Sequence, residues 1–199
     1  SVGLLINLII IHFKGYDELG IFNQVYAIYL LLSQLSVFGI HLAVQKFIPE
    51  QTQESIKESI IGNAIISIIL INIILTGIYY ISNYYTPFFP LGTEVQENLY
   101  LVFPALFFFS LNKVLLQYLN GKREMKIYAI MNSLRFLLMI IILFILLYYN
   151  LNISLIFLIT ECILCLSLFV ITYKNIQFTY QKEMTLKLLS FSKNIFMGN

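Results

Sequence analysis

Charge is scarce in this chain: of 199 residues, 12 are lysine or arginine and 10 are aspartate or glutamate. A soluble domain is about a quarter charged, whereas this chain is only 11% charged. Histidine is scarcer still. His12 and His41 stand far apart, and two distant histidines make no metal site. An enzyme at a membrane face would want histidine or paired carboxylates in its loops, and the loops here supply neither. Cys162 and Cys165 form a CxxC spacing in "TECILCLSLF", but a metal or redox reading would need a second ligand pair. Inside an apolar run both behave as small hydrophobes. Tryptophan is absent and only four prolines occur, with no low-complexity tract or disordered linker.

What the chain has instead is apolar surface. It is 59% hydrophobic with a mean hydropathy of +0.85. The apolar residues fall in separate blocks near the 20-residue length that crosses a hydrocarbon layer. The blocks are 2–13, 23–47, 56–82, 99–119, 127–149 and 151–173, with a further segment starting at Leu186. All but the first are far too long for membrane strands, and strict alternation is lacking, so helices are the only spanning structure available. The fold class is all-α, a polytopic transmembrane helix bundle. The chain opens at Ser1 inside an apolar run and its last apolar segment starts only at Leu186. The expectation is therefore a piece of a longer protein.

The connectors are short: 14–20, 49–55, 83–98, 120–126, a tight turn near Asn150, and 174–185. Pro87, Pro90 and Gly92 mark 83–98 as irregular, and Pro104 is expected to kink or loosen the outer turns of its helix. None of these connectors could house a catalytic domain. Grouping alternate connectors places Lys46, Lys57, Lys113, Lys122, Arg123, Lys126, Lys174, Lys182, Lys187 and Lys193 toward one side, against Lys14 on the other. That asymmetry makes 49–55, 120–126 and 174–185 cytoplasmic. Tyr84, Tyr85, Tyr148, Tyr149 and Tyr173 sit at span ends, where an interfacial belt belongs.

Polar residues inside the spans form stripes: Gln34, His41 and Gln45; Ser59, Asn63 and Ser67; Ser110, Lys113 and Gln117; Tyr128, Asn132, Arg135 and Met139. Such stripes serve either as contacts between packed helices or as the lining of a wet cavity. Arg135 and Glu161 are the two deepest charges. A central Arg costs about 2.5–3.5 kcal/mol on insertion scales, and the apolar run Phe136–Leu147 contributes about 4–7 kcal/mol the other way, so the span inserts. Counted from the cytoplasmic ends, Arg135 lies about 12 Å deep and Glu161 about 18 Å deep on neighbouring antiparallel helices. Two roles follow: a structural pair, or an arginine that attracts phosphate beside a glutamate in ion or proton coupling.

Three stretches carry a family resemblance: "GYDELGIFNQVYAIYLLLSQLSVFGIHLAVQKFIPE" (15–50), "YLNGKREMKIYAIMNSLRFLLMIIIL" (118–143) and "LKLLSFSKNIFMGN" (186–199). Gly20, Phe22, Gly39, Ala43, Lys46 and Phe47 match a pattern around the second helix. Lys193 stands where relatives usually carry proline. In these features the chain resembles the amino-terminal half of polysaccharide biosynthesis membrane proteins. These are Wzx-type oligosaccharide flippases of the multidrug/oligosaccharidyl-lipid/polysaccharide (MOP) exporter superfamily.

The resemblance implies the first six-helix lobe (1–185) of a two-lobe transporter, plus the start of helix seven (186–199). It implies an inner-membrane protein without cofactor or nucleic-acid partner, working beside a polysaccharide polymerase and glycosyltransferases. The cargo would be an undecaprenyl-pyrophosphate-linked oligosaccharide. By position, Asn7, Gln34, His41 and Lys193 become cavity candidates alongside Arg135. The alternatives are a cation-coupled small-molecule exporter on the same fold, or a membrane-embedded transferase or scaffold.

Overall fold

The computed structural model describes residues 2–85 and 92–198, with backbone alone at 83–85, 196 and 197. Pro87 and Pro90, and the side chains of Tyr84 and Tyr85, lie outside the described residues. Among the described residues eight α-helices follow in order: α1 (Val2–Lys14), α2 (Tyr16–Val37), α3 (Ile40–Glu50), α4 (Glu54–Tyr85), α5 (Thr93–Gly121), α6 (Met125–Tyr148), α7 (Leu155–Thr172) and α8 (Lys182–Met197). Five of them, α2 and α4 to α7, are long and apolar enough to cross a membrane. The all-helical membrane bundle expected from the apolar blocks is the fold observed.

The boundaries differ from the sequence reading in physically simple ways. The expected connector 14–20 shrinks to Gly15, whose φ of 87° reverses the chain between α1 and α2. Helix α2 then opens with Asp17 and Glu18 in its first turn, where the helix dipole favours acids. The expected single span 23–47 is two helices. Phe38 (φ 45°) and Gly39 (φ 75°) both take left-handed backbone, which ends α2 and restarts the chain as α3. Helix α5 begins at Thr93 and runs on through Pro104, so residues 93–98 of connector 83–98 are helical. The α6–α7 reversal uses Asn150 at φ 52°, with the Leu151 N–H returning 2.8 Å to the Leu146 carbonyl. Asparagine tolerates that conformation better than most residues.

Helix α5 is the axis of the bundle. Fifteen of its residues are buried, from Val95 to Gly121, while α6 buries only Arg135, Ile142, Leu143 and Leu146. Helix α6 instead turns Leu137, Ile141, Phe144 and Ile145 outward, and α4 does so with Ile73, Ile74, Ile78 and Ile81. Apolar faces of that extent are at home against lipid. The chain ends sort as the alternating topology requires. Lys14 hydrogen-bonds Asn150, and Asn152 bonds Asn98 at 2.6 Å, at one end. At the other, Lys122 meets Glu54 at 3.3 Å and Gln177 meets Glu58 at 2.7 Å.

Candidate functional site

The interior holds one ion pair among the described residues, and α5, α6, α7 and α2 each contribute to it. Arg135 of α6 reaches Glu161 of α7, one Nη2–H donating 3.0 Å to Glu161 Oε2. Both side chains are buried, Arg135 at 8% exposure and Glu161 at 4%. Asn112 of α5 donates its amide to the same carboxylate oxygen at 2.8 Å and to the Glu161 main-chain carbonyl at 2.9 Å. Tyr29 of α2 donates its hydroxyl to Oε1 at 3.4 Å. Three side-chain donors on three helices therefore converge on one carboxylate, and charged partners make such bonds stronger than neutral ones.

Aromatic rings wall this cluster. The guanidinium of Arg135 lies over Phe109, 5.1 Å from the ring centroid, with the Lys113 ammonium 5.5 Å from the same centroid. Phe157 stacks on Tyr29 at 4.7 Å and on Phe22 and Tyr26 a little further out. Beside the pair is a cavity of about 150 Å³ lined by Tyr26, Tyr29, Phe109, Arg135, Thr160 and Glu161 among others. Three buried polar atoms of the cluster have no partner: Arg135 Nε, Thr160 Oγ1 and Asn112 Oδ1. Buried polar groups are normally satisfied, so a cluster of three without partners calls for an account.

The remaining sequence candidates are dispersed. Asn7 is half-buried and lines a second cavity of about 110 Å³ between α1, α2 and α6. That cavity shares Tyr26, Phe136 and Met139 with the one beside Arg135. Gln34 and Lys193 are exposed, and His41 is half-buried with its Nδ1 unpartnered. None of these three lines the Arg135 cavity. The stripe expected through Gln34, His41 and Gln45 is interrupted by the break at Phe38–Gly39.

Sequence reasoning missed Asn112 and Tyr29. Asn112 lies just off the Ser110–Lys113–Gln117 stripe, so the stripe itself draws attention away from it. Tyr29 reads as one more aromatic in an apolar run. The Ser59–Asn63–Ser67 stripe is buried against protein. Asn63 donates to the Ser59 and Thr179 carbonyls and accepts from the Gln181 N–H and the Thr185 hydroxyl. Cys162 and Cys165 are free thiols, half-buried on α7.

A family model described as polysaccharide biosynthesis protein matches residues 3–199, and the chain belongs to that family. Membership supports a role in polysaccharide biosynthesis. No curated protein and no solved structure matches the chain.

Proposed function

From that membership, we propose that the chain is the amino-terminal lobe of a transporter without covalent chemistry. It would move an undecaprenyl-pyrophosphate-linked oligosaccharide across the cytoplasmic membrane for surface polysaccharide assembly. In this reading residues 1–185 form the lobe and 186–199 start the next helix, with 49–55, 120–126 and 174–185 cytoplasmic. One observation carries the site: Arg135 is buried beside a cavity and keeps an unpartnered Nε–H after its pairing with Glu161. A guanidinium has five donors and suits a phosphate bidentately. Glu161 holds it in place between loads, and the pyrophosphate competes for it when the lobes move.

Asn7 then sits along the apolar approach to Arg135, and Gln34, His41 and Lys193 face the larger passage formed with the second lobe. The lipid-linked sugar would arrive from glycosyltransferases and leave toward a polymerase. The cation-coupled exporter fits less well. It needs a carboxylate open to an ion, and the Glu161 oxygens are already met by Arg135, Asn112 and Tyr29.

The test is genetic. In cells lacking their own flippase, the full-length protein restores surface polysaccharide, and Arg135→Ala lowers that output even when it is normalised to the folded protein left in the membrane. Failure of the unaltered protein to restore any polysaccharide would rule the reading out. Normal output from Arg135→Ala would remove Arg135 from the site.

A further inference from the structure

At the end of the bundle that carries Lys57, Lys122 and Lys174, α3 and α8 pack side by side and exchange side chains. The Lys46 ammonium of α3 lies over Phe191 of α8, 4.5 Å from its centroid. Reciprocally, the Lys187 ammonium of α8 lies 4.5 Å from the centroid of Phe47 of α3. The two rings touch each other at 5.2 Å, and Lys46 is also 5.6 Å from the Phe47 centroid. Phe47 is buried and fixes the arrangement, while both lysines are exposed.

Two like charges are thus drawn to one pair of rings. Among the described residues no carboxylate pairs with either ammonium, although Glu50 and Glu183 lie one helical turn away on the same helices. Lys182 and Lys193 add to the excess, giving four lysines against two glutamates on these helices. Cation–π contacts offset part of the repulsion between ammoniums but supply no counter-charge. An anion at the depth of a helix end, where lipid headgroups lie, would supply that counter-charge. Basic pockets between transmembrane helices at that level bind phosphate-bearing headgroups.

We propose that Lys46 and Lys187, held by Phe47 and Phe191, form a docking site for the phosphate headgroup of an anionic membrane phospholipid bridging α3 and α8. The site is separate from Arg135 and does not depend on what the protein transports. Its occupant joins the segment after the Gly39 break to α8, whose Ser192 carbonyl lies about 3.2 Å from where a Gly39 Cβ would sit.

The test uses the full-length protein in nanodiscs of neutral phosphatidylcholine, doped with phosphatidylglycerol in one arm and undecaprenyl pyrophosphate in another. Lipid retained by the protein is read by native mass spectrometry. The unaltered protein retains phosphatidylglycerol. Lys46→Ala with Lys187→Ala weakens retention by about 30-fold, from roughly a fivefold contribution per lysine near a charged surface. Lys46→Arg with Lys187→Arg keeps retention, and its thermal midpoint in neutral discs matches that of the alanine pair. Equal phosphatidylglycerol retention by the unaltered protein and the alanine pair would overturn the proposal. So would loss of undecaprenyl pyrophosphate retention alone, which would assign the lysines to cargo. Because the phospholipid arm needs no transport, its failure is separable from failure of the flippase reading.

Discussion

Around Asn63 every polar group is neutral, and one amide is met on both sides, by the Ser59 and Thr179 carbonyls and by Gln181 and Thr185. Around Arg135 the groups are charged, three donors crowd one carboxylate, and three neighbouring polar atoms are left without partners. The first cluster ties α4 to the stretch before α8. The second borders open volume within the bundle. A purely structural contact ends with its polar groups satisfied. The proposed function needs a contact that can release one partner and accept another, and the unpartnered Arg135 Nε–H and Thr160 hydroxyl would supply donors for that.

The largest expected effect comes from removing the carboxylate. Glu161→Ala leaves Arg135 buried without a counter-charge, and breaking such a pair by one partner costs about 3–5 kcal/mol. Thermal unfolding of the detergent-purified protein should show a steep fall in midpoint, with little folded protein recovered from membranes. A midpoint within a degree of the unaltered protein would mean that the guanidinium is solvated and the pair adds nothing.

Next come changes at the neutral clamp. Asn63→Leu strands the Gln181 N–H and the Thr179 carbonyl, at about 1–3 kcal/mol for the groups left unsatisfied. Gly62→Ala belongs in the same range, about 1–3 kcal/mol, because overpacking forces neighbours aside. A Cβ there would fall 1.8 Å from the Gln177 carbonyl oxygen, which is backbone and cannot swing away. Both variants should lose stability and export together, since their damage is structural. Export lost at full stability in either would transfer a functional role to the clamp.

Tyr29→Phe is expected to be the mildest. Its 3.4 Å bond to Glu161 is long, the ring stack on Phe157 survives, and intramembrane side-chain bonds average about 0.6 kcal/mol. A loss several times larger by the same unfolding measurement would make Tyr29 a principal anchor of the carboxylate.

The two clusters were not equally legible in the sequence. Span existence was readable because apolar blocks of crossing length have no other stable use here. The meeting of Arg135 and Glu161 was readable too, since a tight turn at Asn150 fixes which helices are neighbours and residue counting fixes depth. The break at Phe38–Gly39 was not. The hydrophobic pattern continues across it, Phe38 is an unusual residue for left-handed backbone, and help comes from far along the chain. Asn72 of α4 donates 3.2 Å to the Ser36 carbonyl that the ending helix leaves open, and bonds Ser110 of α5 at 2.9 Å. Asn63 looked like an ordinary stripe residue because two of its three distant partners are main-chain atoms of 179 and 181, and backbone carries no sequence pattern. The Lys46–Phe191 and Lys187–Phe47 exchange was hidden for a related reason: it needs the relative rotation of two helices, which neither helix encodes alone.

One double substitution separates structural need from transport need at Arg135. Arg135→Met with Glu161→Leu replaces the pair by apolar side chains of similar volume, a change that is often neutral or stabilising for a buried pair. The measurement is surface polysaccharide restored in flippase-deficient cells, normalised to the abundance of folded protein in the membrane. Near-normal abundance with export abolished is the predicted result. Near-normal export from that double variant would contradict the account and leave the pair as a structural contact only.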